Sequence, residues 1–247
     1  MGTFSAVFFD LGKTLMYAKA PWQPVLLRSY KALAETLHVN GVDVDLNTLP
    51  YEFTSRINAY HAYRDDTLRE TTVLSLLRHV LDENGFRDTP DPVLRTALNA
   101  KYAITQSNWY VENDAHPMLR ALRDSDYRLA LLSNAGDDPD VQALIDKFGL
   151  RPYFEFILTS AACGYRKPHP HMFEQALDAL NLFPHQVAMV GDALTADVKG
   201  AQALGIYSIW VNRRVNIHTK TLSVIQPDES VSALSDIPKL LKEIQIP

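Results

Sequence analysis

From about Asp114 onward the chain repeats one unit, an amphipathic helical stretch followed by a short run of β-branched and aromatic residues. "PMLRALRDS" precedes "YRLALLS", "DVQALIDKFG" precedes "FEFILTS", "HMFEQALDALN" precedes "QVAMVGD", and "TADVKGAQALG" precedes "IYSIWVN". Strands this apolar are buried on both faces, which calls for helices above and below them. Parallel strands need a crossover, and the intervening helices supply it. The alternation therefore predicts an α/β fold with a doubly wound, mostly parallel sheet. Residues 4–9, "FSAVFF", read as a further buried strand, and "LSDIPKLLKEIQ" as a closing helix.

The stretch between the first strand and Asp114 has a different rhythm. Apolar residues fall at helical spacing over roughly 22–39, 50–64, 67–84 and 91–108. "TTVLSLLRHVLDENG" puts Val73, Leu74, Leu77, Val80 and Leu81 on one face and ends at Gly85. "TPDPVLRTAL" opens another helix with an acid and a proline in its first turn. No strand is expected between about 16 and 110. The pattern predicts an all-helical insert over 16–111, set into a core made of 1–15 and 112–247. Its aromatics (Tyr17, Trp22, Tyr30, Tyr51, Phe53, Tyr60, Tyr63) are expected to form its own core. Arg56 and Arg64 read as solvated helix charges, with an anionic substrate as the alternative use.

Composition narrows the function classes. The 247 residues carry a net charge of -5 with no Lys/Arg run, so no nucleic-acid partner is expected. No apolar run is long enough to span a membrane, and no basic segment followed by an apolar one opens the chain. Gly2 lacks the Ser or Thr that myristoylation favours where Ala6 stands. One cysteine, Cys163, allows no internal disulfide and fits a reducing, cytoplasmic setting; it reads as a small apolar side chain. The sequence is silent on oligomeric state.

In open α/β sheets ligands sit beyond the carboxyl ends of the strands. The polar residues expected there are Asp10, Ser133, Asn134 and Asp192, joined by Lys167 from "GYRKPHP" and Asp197 from the next helix start. "GKT" at 12–14 suggests a phosphate-binding P-loop, but Val7 stands where that loop needs glycine. Asp10 and Asp192 offer hard oxygen ligands suited to Mg²⁺. Lys167 and the cation would neutralise a phosphate whose oxygens Ser133 and the Asn134 N–H would hold. An aspartate in such a cluster can attack phosphorus. "DDPD" at 137–140 reads as a helix cap rather than a metal cluster, and His169 and His171 as loop residues rather than ligands.

Four segments in order, "FFDLGKTL", "LLSNA", "GYRKPHP" and "VGDALTADVKGAQALG", resemble the four motifs of the haloacid-dehalogenase (HAD) superfamily of hydrolases. The resemblance implies a Rossmann-like core with a helical cap inserted after the first motif. It implies Asp10 as nucleophile and Ser133 as phosphoryl-binding residue. It further implies Lys167 as the stabiliser of the nucleophile, Asp192 as an Mg²⁺ ligand and Asp197 as orienter of the metal shell or of Lys167. Thr14 would support the turn of the first motif beside the substrate. The strand bearing the first motif would neighbour the strand bearing the fourth.

One departure matters. Phosphatases of this family usually carry a second aspartate two residues after the nucleophile, as general acid and base; here it is Gly12, followed by Lys13 where glycine is usual. The family's metal contact at that position is the backbone carbonyl, which Gly12 keeps. A proton shuttle contributes ~100- to 10,000-fold, so the expectation is a slow phosphatase that favours good leaving groups. Lys13 is a candidate replacement acid, and glycine at 12 permits a left-handed backbone.

The expected function is therefore Mg²⁺-dependent hydrolysis of a small phosphorylated metabolite under a closing cap. Two alternatives stay open. One is a metal-independent dehalogenase, which needs no leaving-group acid; the other is a catalytically weak scaffold that binds a phosphometabolite or a protein partner.

Overall fold

The computed structural model describes residues 4–214 and 224–244. Six strands form one sheet with every pairing parallel. Their order is β5 (Phe156–Thr159), β4 (Arg128–Ser133), β1 (Ala6–Phe9), β6 (Val187–Gly191), β7 (Tyr207–Val211) and β8 (Glu229–Val231). The chain runs from β1 to β4 and β5 on one side, then crosses to β6, β7 and β8 on the other. β1 is thus the central strand, with Phe8 in register with Ala130 and Met189. The strand order reverses beside it, which opens a crevice at its carboxyl end.

Between β1 and Trp109 stand four helices, α1 (Trp22–Val39), α2 (Leu49–Thr67), α3 (Val73–Glu83) and α4 (Asp91–Gln106). They share a core of their own around Leu33, Leu37, Phe53, Leu77, Leu81 and Leu98. The α3 N-terminus is capped by Thr72 Oγ1, which accepts the Ser75 N–H at 3.1 Å, and it stops at Asn84 before Gly85 at φ +89. Tyr30, Phe53 and Tyr60 are buried as expected, whereas Tyr51 and Tyr63 are exposed.

The absence of strands expected between 16 and 110 is corrected. Met16–Ala18 (β2) and Trp109–Val111 (β3) pair antiparallel where the chain enters and leaves the helices. Three-residue strands are too short for a period to show, and pairing satisfies backbone groups that two lone linkers would leave open. The edge strand β8 escaped the sequence for the same reason. The helix expected over 67–84 is also shorter. Leu68 takes a left-handed turn (φ +56), and residues 69–70 pair with residues 164–165 instead. There the Glu70 N–H donates to Gly164 O and the Arg166 N–H to Leu68 O, both at 3.0 Å. The Glu70 side chain, fully buried, accepts from Arg166 Nη1 at 2.7 Å, Ser160 Oγ at 2.6 Å and Tyr60 OH. This contact ties the helical unit to the sheet at a second point.

Alternation along β1 feeds two cores, one on each face of the sheet. Val7 and Phe9 pack under α5 (Ala115–Arg123), α6 (Asp138–Lys147) and α10 (Ile237–Glu243). Ala6 and Phe8 pack under α8 (Pro170–Leu180), with the short α7 (Ser160–Cys163) and α9 (Gly200–Gln202) nearby. Gln245, the last residue of the expected closing helix, and Gly2 lie outside the described residues. Among those described, no helix is long and apolar enough to cross a membrane.

Candidate active site

The polar strand ends converge on one cleft of about 380 Å³. It is lined by Asp10 after β1, Ser133 and Asn134 from β4, Asp192 after β6, and Lys167, with Gly12, Lys13 and Asp197. At its centre is a buried lysine. Lys167 Nζ lies 2.8 Å from Asp10 Oδ1 and 2.7 Å from Asp197 Oδ1, and donates to Leu132 O at 2.6 Å. Burial alone would lower its pKa; the Asp10 and Asp197 carboxylates outweigh burial and raise it, so the ammonium is charged.

Asp197 arrives through a π-helical turn, Leu194–Lys199, a geometry frequent at functional sites. Its Oδ2 accepts the Ala193 N–H at 2.9 Å, while Oδ1 meets Lys167 as an ion pair without hydrogen-bond alignment. The approach depends on Gly191, because a Cβ there would collide with the Asp197 side chain.

Negative charge exceeds positive here. Oxygens of Asp10, Asp192 and Asp197 all lie within 4.8 Å of one another. Burial, then the charges of Asp10 and Asp197, push the Asp192 carboxyl up to about 7, with Lys13 and Lys167 opposing. Burial also pushes Asp197 up to about 6 against the pull of Lys167. A hard divalent cation fits this donor set: carboxylate oxygens held close together, one of them without an aligned donor.

The two expected substrate-side residues differ in placement: Asn134 lines the cleft and Thr14 does not. The Asn134 side chain is committed to the main chain of Lys167: Oδ1 accepts its N–H at 2.8 Å and Nδ2 donates to its C=O at 2.9 Å. Only the Asn134 backbone N–H remains for a substrate oxygen. Thr14 is 1% exposed and lies behind the cleft wall, with Oγ1 lacking a hydrogen-bond partner among the described residues. It neither touches the cleft nor holds the turn through its hydroxyl. Backbone bonds hold that turn, Leu15 N–H and Met16 N–H both donating to Leu11 O.

The left-handed residue in this turn is Lys13 (φ +66), not Gly12. A Cβ on Gly12 would stand 3.4 Å from Trp109 Cη2, an ordinary contact. Lys13 is exposed at the cleft rim.

The remaining candidates resolve plainly. Asp137 caps α6 by accepting the Asp140 N–H at 3.1 Å. His169 caps α8 and stacks on Tyr165 with ring centroids 4.1 Å apart. Arg56 pairs with Glu83, and Arg64 pairs with Asp65 at 3.2 Å.

Arg166, Trp109 and Lys101 were not singled out by the sequence. Arg166 and Trp109 line the cleft. Lys101 falls on the buried stripe of α4 with Leu94, Ala97, Leu98, Tyr102 and Thr105. A lysine where helical spacing calls for an apolar residue was the available signal.

Comparison with known proteins points the same way. A family model for haloacid dehalogenase-like hydrolases matches residues 4–205. Haloacid dehalogenase-like hydrolase domain-containing protein 3 of Bos taurus is 33% identical over 138 residues, 56% of this chain and 54% of that protein. The chain thus matches about half the length of that relative. N-acylneuraminate-9-phosphatase of Rattus norvegicus is 26% identical over 246 residues, covering 97% of this chain and 94% of that protein. A 2-haloacid dehalogenase from Pseudomonas syringae pv. Tomato DC3000 shares the fold, with TM-score 0.68 at 22% identity over 97% of this chain and 98% of its own. With the parallel sheet, the crevice at β1 and the Asp10–Lys167–Asp197 cluster in place, this chain belongs to the haloacid dehalogenase-like hydrolases.

Proposed function

We propose that the protein is a Mg²⁺-dependent hydrolase of a small phosphorylated metabolite and works through a phosphoryl-aspartate on Asp10. The observation that carries this reading is the charged Lys167 held between Asp10 and Asp197 with Asp192 in the same cluster. Lys167 engages Oδ1 of Asp10 and leaves Oδ2 to approach phosphorus. Asp10 forms the new P–O bond as the ester P–O bond breaks, and the leaving alkoxide takes a proton from solvent water. Water then attacks phosphorus, regenerating Asp10 and releasing phosphate. Ser133 Oγ and the Asn134 N–H hold phosphoryl oxygens through both steps, while the Asn134 amide keeps Lys167 in place. Asp10, Asp192 and the Gly12 carbonyl would hold Mg²⁺, which supplies neutralising charge and orients the phosphoryl group. The helical unit serves as a cap, fastened over the cleft side by Glu70.

Gly12 offers no proton to the leaving group, so activated esters should react best. The same residue favours a second reading, halide displacement by Asp10 without a metal. The acidic cluster weighs against it, because repelling carboxylates suit a cation-dependent site.

Phosphate release from 4-nitrophenyl phosphate, with Mg²⁺ or with EDTA, tests both. Release that needs Mg²⁺ and disappears in Asp10→Asn supports the phosphatase. Undiminished release in Asp10→Asn overturns the nucleophile; EDTA-insensitive halide release from a 2-haloacid, with no phosphate release, establishes the second reading.

A further inference from the structure

Beside the cleft lies a larger chamber of about 830 Å³, walled by α1, α2 and α4 and closed below by the loop after β4. Cleft and chamber share Ala135 and Asp140 as lining residues, so they adjoin. Tyr30, Tyr60, Tyr102, Leu26, Ile57 and Val73 give the chamber an apolar, aromatic wall.

One side chain does not fit that wall. Lys101 is 7% exposed, lines the chamber, and makes no ion pair or hydrogen bond among the described residues. Its contact is the face of the Tyr102 ring, 3.7 Å from Nζ to the centroid. The two carboxylates whose charge reaches it are engaged elsewhere. Asp137 takes Arg95 Nη1 at 2.9 and 3.0 Å, and Asp140 accepts from Gln106 Nε2 at 2.8 Å. Arg64, the other cation on the wall, already has Asp65. A buried ammonium without a partner is costly to the folded chain, and burial lowers its pKa to about 8 against the opposing charges of Asp140 and Asp137. A ligand anion that pairs with it recovers that cost on binding.

We propose that the chamber binds the organic part of the substrate and that Lys101 pairs with a carboxylate on it, so that the substrate is a phosphorylated organic acid. A monoanion fits better than a second phosphate, because Asp137, Asp140 and Glu70 also line the chamber and repel a dianion. The tyrosine faces take the carbon skeleton. This assignment rests on the phosphatase reading above.

The test is a panel of phosphorylated hydroxy acids, each paired with its neutral carboxamide. Turnover is measured in the wild type and in Lys101→Met, which keeps the length of the stem without the charge. Binding to Asp10→Asn and to Asp10→Asn/Lys101→Met is measured by calorimetry. Wild type should prefer at least one acid over its amide by roughly 10- to 100-fold in kcat/KM, the value of a charge-assisted contact. Lys101→Met should erase the preference while leaving the amide and 4-nitrophenyl phosphate within about threefold, and the binding arm should show the same loss. No acid preferred over its amide, or a preference that survives Lys101→Met, overturns the proposal. If acids bind in a Lys101-dependent way yet no phosphate is released, the hydrolase reading fails and the Lys101 site stands.

Discussion

The cleft and the chamber each hold one buried lysine, in opposite electrostatic surroundings. Lys167 meets two carboxylates and a carbonyl, and its pKa is raised despite complete burial. Lys101, nearly as buried, meets an aromatic face, and its pKa falls to about 8 through desolvation. Burial acts alike on both; partners decide the sign. The first lysine completes a site within the protein, and the second waits for charge from outside.

The sharpest way to break this contrast is to remove each ammonium in turn. Lys167→Met strands Asp10 and Asp197 around an empty centre. It should abolish turnover and cost about 3–5 kcal/mol, the penalty for breaking one side of a buried pair. Lys101→Met leaves no partner behind, so stability by urea unfolding should hold or rise. A large loss at Lys101 would mean that Asp140 depends on it, and the contrast would collapse.

Mg²⁺ should act through the cleft alone, with a pH dependence set by Asp192 and Asp197. Both carboxyls are raised, to about 7 and about 6. Acids raised in the folded state make it bind protons more tightly than the unfolded chain, so their contribution to stability falls as pH rises from about 4 to 7. A cation offsets that repulsion only once the carboxyls are ionised. Mg²⁺ at a hundredfold excess over its Kd gives about 2.7 kcal/mol, roughly 5–10 °C in Tm for a chain of this length. The gain should be full at pH 8, small at pH 5, and missing in Asp192→Asn. Equal gains at both pH values would place the cation elsewhere.

Gly12→Asp sharpens the comparison on the cleft side. The backbone at 12 is not left-handed and a Cβ there makes ordinary contact with Trp109, so the variant should fold. If only a proton shuttle is missing, alkyl phosphate turnover should rise about 10- to 100-fold, part of the usual range for acid–base help. 4-Nitrophenyl phosphate should gain much less. Flat or falling alkyl turnover in a folded, Mg²⁺-binding variant would show a site adapted to other chemistry. Lys13→Ala would then test whether the lysine donates the proton.

The smallest effect belongs to Lys13→Gly. Lys13 pays the strain of φ +66 that glycine avoids. The substitution should stabilise by about 1 kcal/mol, less some unfolded-state entropy. A loss instead would show that the Lys13 charge beside Asp192 outweighs the strain.

The cleft was more legible in the sequence than the chamber. Asp10, Ser133, Asp192 and Lys167 stand at strand ends or in loops, so naming the strands located them, and Asp197 stands in the helical turn that follows β6. For Asn134 the sequence named only the backbone N–H; that its side chain serves Lys167, 33 positions away, follows from no local rule. Thr14 was misjudged because a turn residue's inward or outward direction depends on what packs behind it. The strands β2, β3 and β8 were too short to show a period.

What the sequence alone determined is the α/β architecture, the helical character of the insert, and the set of groups at the crevice. Those follow from periodicity and local turn chemistry, which act over a few residues. Only the tertiary structure decided that residues 69–70 leave the helical pattern to pair with residues 164–165, that Trp109 stands against Gly12, and that Lys101 faces a chamber whose carboxylates are engaged by other groups. The physical reason is the same in each case. Burial and pairing are set by which distant surfaces meet, and a lysine reads alike in sequence whether it points to water, to an aspartate or to an empty space shaped for another molecule's charge.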